Sequence, residues 1–321
     1  MKRILFILAI LAMPVIIAAG CSNNTAKENK GTVKEGEKMD IYTSIYPLEY
    51  LTKQIGGKRV EVKSVYPPGV DAHTYEPTSK TVTDIAKSYA FIYMGAGMEG
   101  FAETTAKALK KQDVEMLEIG RNDAIFIKSK QPDDHDHGEA GHEEHGHSDK
   151  DPHVWLDPLK MIDIGEMIKD NLSEWDPKHK DDYTKNFDRM KDNMTSLDQD
   201  FAKTLESNKQ KHILVAHAAY GYWERYGIEQ IPIRGLSSSD EPSQKELAKT
   251  TRLAEELDLN YIIYEKNQED SLGKVIQQHI GAKPLQIHNL EVLTEEDVNQ
   301  NKDYLKLMRE DLAVLKKATS K

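Results

Sequence analysis

The chain has a single cysteine, Cys21, so no disulfide can form within it. It also lacks any excess of positive charge: 43 Lys and Arg stand against 54 Asp and Glu, a net charge of −11. A phosphate backbone needs a basic face, so nucleic acid is excluded as a partner. Long hydrophobic runs are scarce as well. The one extended apolar stretch covers residues 4–19, sixteen positions, short of the ~20 that a spanning helix requires.

That stretch follows Lys2 and Arg3 and ends at Gly20, the pattern of a secretory h-region. Ala18-Ala19-Gly20-Cys21 resembles the bacterial lipoprotein box, in which the cysteine is lipidated and becomes the new N-terminus. Residues 1–20 are therefore expected to be a lipoprotein signal peptide. Cys21 is the expected acylation (palmitate) site, holding the protein to the bilayer at the outer face of the cell membrane. Residues 21–38 are nearly devoid of apolar side chains and read as a flexible tether.

From Met39 onward, short apolar runs alternate with amphipathic stretches. Strands are expected over 41–44, 60–65, 90–94 and 114–119, with a further short run at 124–127. Helices are expected over 48–55, 79–88, 101–110 and 158–172. A second alternating series follows: strands at 212–216, 231–233, 261–264 and 284–288, helices at 219–226, 243–257, 272–280 and 303–317. The expected fold class is α/β: two lobes, each a mainly parallel sheet of about four strands flanked by helices. Between them, Tyr183, Phe187, Met190, Met194, Leu197, Phe201 and Leu205 form a one-sided helical stripe. The expected division is an N-terminal lobe over 39–175, a linking helix over 176–208 and a C-terminal lobe over 209–321.

Three histidines and a glutamate stand just past strand-like runs: His73, His153, His217 and Glu265. In open α/β sheets, ligands bind beyond the carboxyl ends of strands. Two residues from each half would converge there in a cleft. Three imidazoles and one carboxylate suit tetrahedral zinc, whereas two carboxylates would lean to manganese. A histidine-dense insertion over 133–151 carries His135, His137, His142, His145 and His147 among acids and glycines. Its composition cannot bury a core.

With these stretches the chain resembles the zinc-specific solute-binding lipoproteins of bacterial metal ABC importers. The carrying motifs are 44–48 (SIYPL), 67–77 (PPGVDAHTYEP), 95–99 (GAGME), 151–158 (DPHVWLDP), 216–222 (AHAAYGY) and 241–243 (EPS). The resemblance implies two lobes on one long, rather rigid helix, with metal in the cleft at His73, His153 and His217. Glu265 matches the fourth position, where Asp, Glu or water serves. It further implies a monomer that captures Zn2+ and delivers it to a membrane permease, with the histidine-rich insertion as an auxiliary collecting loop. A manganese or other divalent-metal receptor, or a surface adhesin on the same scaffold, stands as the alternative.

Two motifs point elsewhere. Gly95-Ala96-Gly97-Met98-Glu99-Gly100 reads G-x-G-x-x-G after a strand, a dinucleotide fingerprint, but it follows the third strand rather than the first. His142-Glu143-Glu144-His145 has the zinc-protease letters at the wrong spacing. Glu76 and Asp157 could serve as a hydrolase base or could hold ligand imidazoles. Four protein ligands would leave no open catalytic position, so no enzyme is expected.

Overall fold

The short apolar runs pair into two separate parallel sheets. The computed structural model describes residues 36–128, 150–268 and 270–320. Cys21 and the five histidines of the insertion lie outside the described residues. Strands β1 (Met39–Thr43), β2 (Val60–Ser64), β3 (Ala90–Tyr93) and β4 (Glu115–Glu118) form one sheet in the order β2-β1-β3-β4. Strands β5 (His212–Val215), β6 (Glu229–Pro232), β7 (Tyr261–Glu265) and β8 (Lys283–Ile287) form the other, ordered β6-β5-β7-β8. All pairings are parallel, with registers such as Ile41 opposite Ala90 and Leu214 opposite Ile262. Every residue of β3 is buried, as expected of a strand covered on both faces.

The helices are α1 (Tyr46–Gly56), α2 (Ser79–Lys87), α3 (Gly100–Leu109), α4 (Pro158–Trp175), α5 (Lys180–Leu205), α6 (Gln244–Glu256), α7 (Ser271–Ile280), α8 (Glu295–Asn299) and α9 (Tyr304–Thr319). Local chemistry sets their starts. The Asp157 carboxylate accepts the Leu159 N–H ahead of α4, with Pro158 in the first turn. Ser243 and Glu246 close a capping box on α6.

Helix α5 is the spine. All seven residues of its apolar stripe are buried. Its 26 residues reach about 39 Å at 1.5 Å each. Near its start it packs on α1, where Asn186 Nδ2 donates to the Ile55 carbonyl at 2.9 Å. Near its end it packs on α9, with Arg309 reaching Asp200. One apolar core runs from the first sheet past α5 into the second half, and a smaller cluster around Leu214, Ile262 and Ile276 serves the second sheet. The described residues accordingly belong to one unit.

Three local expectations differ from the structure. The run at 124–127 is no strand: Asp123–Ile125 make a 3-10 turn because the Asn122 side chain accepts the Ala124 N–H. The segment expected as a helix over 219–226 is a 3-10 turn, Gly221–Tyr226, ended by Gly227 at φ 75°. Helix α8 was not expected, although Thr294 and Asp297 spell its capping box. Among the described residues no helix is long and apolar enough to cross a membrane.

After β8 the chain crosses to the first half as an irregular strap over 288–293, with Leu290 at φ 61° and bends at 291 and 292. There the Glu291 carbonyl accepts the Tyr46 N–H at 2.9 Å, and the Leu293 carbonyl accepts the Gly69 N–H at 2.8 Å. Trp155 Nε1 donates to the Asn289 carbonyl at 2.8 Å. Thus a segment sequentially in the second half is fixed to the first.

Candidate metal centre

Each sheet delivers its loops to one shared space. His73 lies on the loop after β2, where Asp71 Oδ1 accepts its N–H at 2.8 Å. His153 precedes the 3-10 turn Val154–Leu156 that leads into α4. His217 follows β5, held by Ala218 N–H donating to the Gly235 carbonyl at 2.9 Å. Glu291 comes from the strap. One donor atom from each of these four lies within 4.8 Å of every other.

The donors are arranged as a tetrahedron. The Nε2 atoms of His73, His153 and His217 stand 3.4, 3.6 and 3.9 Å from Glu291 Oε1, and those of His153 and His217 are 3.3 Å apart. Bonds of about 2.0–2.1 Å to a central zinc would set tetrahedral edges near ~3.4 Å. His73 Nε2 and both Glu291 carboxylate oxygens are buried without a hydrogen-bond partner. Such orphaned groups are costly unless something else satisfies them.

Glu265, expected as the fourth ligand, stands elsewhere. Its carboxylate meets His217 at Nδ1, the nitrogen facing away from the other three donors, and also accepts from Asn289 Nδ2 at 2.8 Å. The physical reason is reach: Glu265 is the last residue of β7 and backs onto the imidazole. The strap carries Glu291 to the opposite side, into the donor set. Asp151 plays the equivalent part for His153, with Oδ1 at 2.8 Å from Nδ1. A carboxylate behind an imidazole fixes its tautomer and orientation and raises its basicity. Glu76 and Asp157 do neither job. Glu76 is exposed, and Asp157 caps α4 while pairing with Arg225.

The charges follow this arrangement. Burial disfavours the His153 cation, yet the Asp151 and Glu291 carboxylates outweigh it and push its pKa up to about 9. His73 is raised in the same way, its burial overcome mainly by Glu291. Burial likewise opposes ionisation of Glu291, but the three imidazoles hold its carboxyl well below the usual range. Without metal, the centre is a carboxylate beside two imidazoles, those of His73 and His153, whose hold on their protons it strengthens.

The glycine motif also finds its explanation. Glu99 of that motif turns back into the loop, accepting N–H bonds from Met94 and Gly95 at 2.9 and 2.8 Å and a contact from the Ser44 hydroxyl. The cradle that could hold a phosphate is filled by the chain's own carboxylate.

Residues 41–318 match the family described as zinc-uptake complex component A, periplasmic (ZnuA). The chain is 33% identical over 322 residues to the zinc-binding lipoprotein AdcA of Streptococcus pneumoniae, covering 99% of this chain and 61% of that protein. It is 29% identical over 320 residues to the high-affinity zinc uptake system protein ZnuA of Bacillus subtilis, covering 96% of each. The crystal structure of Zn(II)-bound AdcA from Streptococcus pneumoniae matches with a TM-score of 0.72 at 32% identity, over 88% of this chain and 58% of that one. The chain thus spans about three-fifths of the length of its AdcA relatives.

Proposed function

We propose, from the premise that this chain belongs to the ZnuA family of zinc-uptake complex components, that it is an extracytoplasmic receptor for Zn2+. It captures the ion between its two halves and hands it to the permease of an ABC importer. The observation that carries this reading is the set of three imidazole nitrogens and one carboxylate oxygen at tetrahedral spacing, buried and partly unpartnered. The proposed ligands are His73, His153, His217 and Glu291, with Glu265 and Asp151 orienting two of the imidazoles. Three nitrogens and one oxygen suit zinc better than manganese, which favours oxygen donors. Four protein ligands close the coordination sphere, so the ion is cargo rather than a catalyst.

The receptor works as a monomer outside the membrane, acylated at Cys21, with palmitate among its chains. The histidines of the 133–151 insertion collect zinc for the centre. The relatives' names support the zinc and lipoprotein parts of this reading.

Zn2+ added to chelator-stripped protein should bind one ion per chain at high affinity. It should also raise the melting temperature by mass action, about 4 kcal/mol at roughly a thousand times Kd. Protein that neither binds zinc nor gains stability from it would sink the assignment.

A further inference from the structure

Of the four proposed ligands, His73 is the least enclosed. Its side chain is 7% exposed, against 1% or less for the other three. It also lies on a long loop without helix or strand, the segment 65–78 between β2 and α2. The loop is anchored by the Tyr66 hydroxyl donating to the Ala72 carbonyl at 3.0 Å and by Gly69 N–H donating to the Leu293 carbonyl at 2.8 Å, and next to His73 the Asp71 side chain adds a link to the other half.

The Asp71 carboxylate has two duties. Its Oδ1 accepts the His73 N–H at 2.8 Å and so sets the turn that carries the imidazole. Its Oδ2 accepts from Ser238 Oγ at 2.8 Å and from Gln268 Nε2 at 3.0 Å. Ser238 lies on the loop after β6 and Gln268 on the turn after β7, both in the opposite half. These loops border the centre: the segment after β6 accepts the Ala218 N–H next to His217. One oxygen therefore orients a ligand while the other is gripped from across the cleft.

We propose that Asp71 is a positioning residue, a clasp that couples contact between the two halves to the placement of His73. This rests on the zinc-binding reading above. Hydrogen bonds to a carboxylate are stronger than neutral ones. The two that cross the cleft are nonetheless part-buried, so water can replace them as the halves part.

The test is the rate at which the zinc-loaded full chain yields its ion to an excess of chelator, followed by stopped flow. The double variant Ser238→Ala/Gln268→Ala cuts the clasp but leaves the turn at His73. It should release zinc about tenfold faster or more, as expected for the loss of two charge-assisted bonds. Association should change little. Asp71→Ala, which also frees the turn, should release at least as fast. Wild-type release by the double variant overturns the clasp, including the case in which Asp71→Ala alone is fast, since Asp71 would then be only a local turn residue. Wild-type protein that binds no zinc overturns the functional reading and the clasp together.

Discussion

Glu265 lies against the Nδ1 face of His217, while Glu291 faces the Nε2 of the same ring at 3.9 Å. One imidazole is thus held between two buried carboxylates with different proposed work: one would aim it, and the other would share its ion. Glu265 also binds Asn289, whose side-chain oxygen in turn accepts the Glu291 N–H at 3.2 Å. Glu265 therefore steadies two of the proposed ligands at once.

Loss of a ligand and loss of its support should separate by size. His217→Ala and Glu291→Ala each remove a donor and should weaken zinc binding most. Glu265→Gln leaves the donor set complete and should cost about 10–100-fold, the usual range for groups behind a ligand. Competition titration against a zinc-binding dye gives all three values. Equal losses for Glu265→Gln and Glu291→Ala would mean that the two carboxylates have been assigned the wrong roles.

Zinc affinity should climb with pH across the neutral range. The metal-free centre holds protons on His153, whose pKa is pushed up to about 9, and on His73, also raised. A protonated imidazole cannot ligate, so zinc must displace those protons and binding releases them. Apparent affinity is therefore lowest at acid pH, rises through neutrality and levels only near about pH 9. Calorimetry in buffers of different ionisation enthalpy counts the released protons. Proton-neutral binding at neutral pH would contradict this electrostatic picture.

Much of this was legible in the chain, for identifiable reasons. Period-two and period-3.6 patterns are local, so most strands and the stripe from Tyr183 to Leu205 could be placed within a residue or two. The three histidines proposed as ligands stand beside strand ends or a helix start, where a sheet of this kind exposes them. Glu291 was hidden because its role depends on a crossing. It stands four residues beyond β8, and only the strap's bonds to Tyr46, Gly69 and Trp155 carry it back to the first half. Glu265 looked the better candidate because strand position is visible in sequence, whereas the side of a ring from which a carboxylate approaches is not. A carboxylate just past the last strand, in Asn289-Leu290-Glu291, was the one available signal.

Gly120 should tolerate no side chain. A Cβ there would lie 2.8 Å from both the Ala96 nitrogen and the Met94 carbonyl oxygen, backbone atoms that cannot swing away. The turn after β4 is pinned at that spot by the Gly120 N–H donating to Met94 at 2.7 Å. Gly120→Ala should destabilise the fold by about 1–3 kcal/mol through overpacking. Urea unfolding should show a lower midpoint with an unchanged slope; a wild-type midpoint would refute the close approach.

Glu99 should give the fold a pH dependence opposite in sign to that of an ordinary ion-paired acid. Burial drives its carboxyl up to about 7 despite the bonds from Ser44, Met94 and Gly95. In the unfolded chain it titrates near its reference value of about 4.3. Between those two values the folded state keeps a proton that the unfolded state has released, so stability from this group falls as pH rises. The loss begins near about pH 4.3 and is complete a little above about pH 7, with a ceiling on the order of 3 kcal/mol. Glu99→Gln cannot titrate. It will start lower, because an amide cannot accept all three donors, but its stability should decline less across this window. The quantity to measure is the difference in unfolding free energy between wild type and variant, with chelator present, at several pH values. Taking the difference cancels the histidines of the metal centre, which titrate in both proteins. A gap that stays constant from acid to neutral pH would show that Glu99 is ionised throughout, and that its bonds within the glycine loop outweigh its burial.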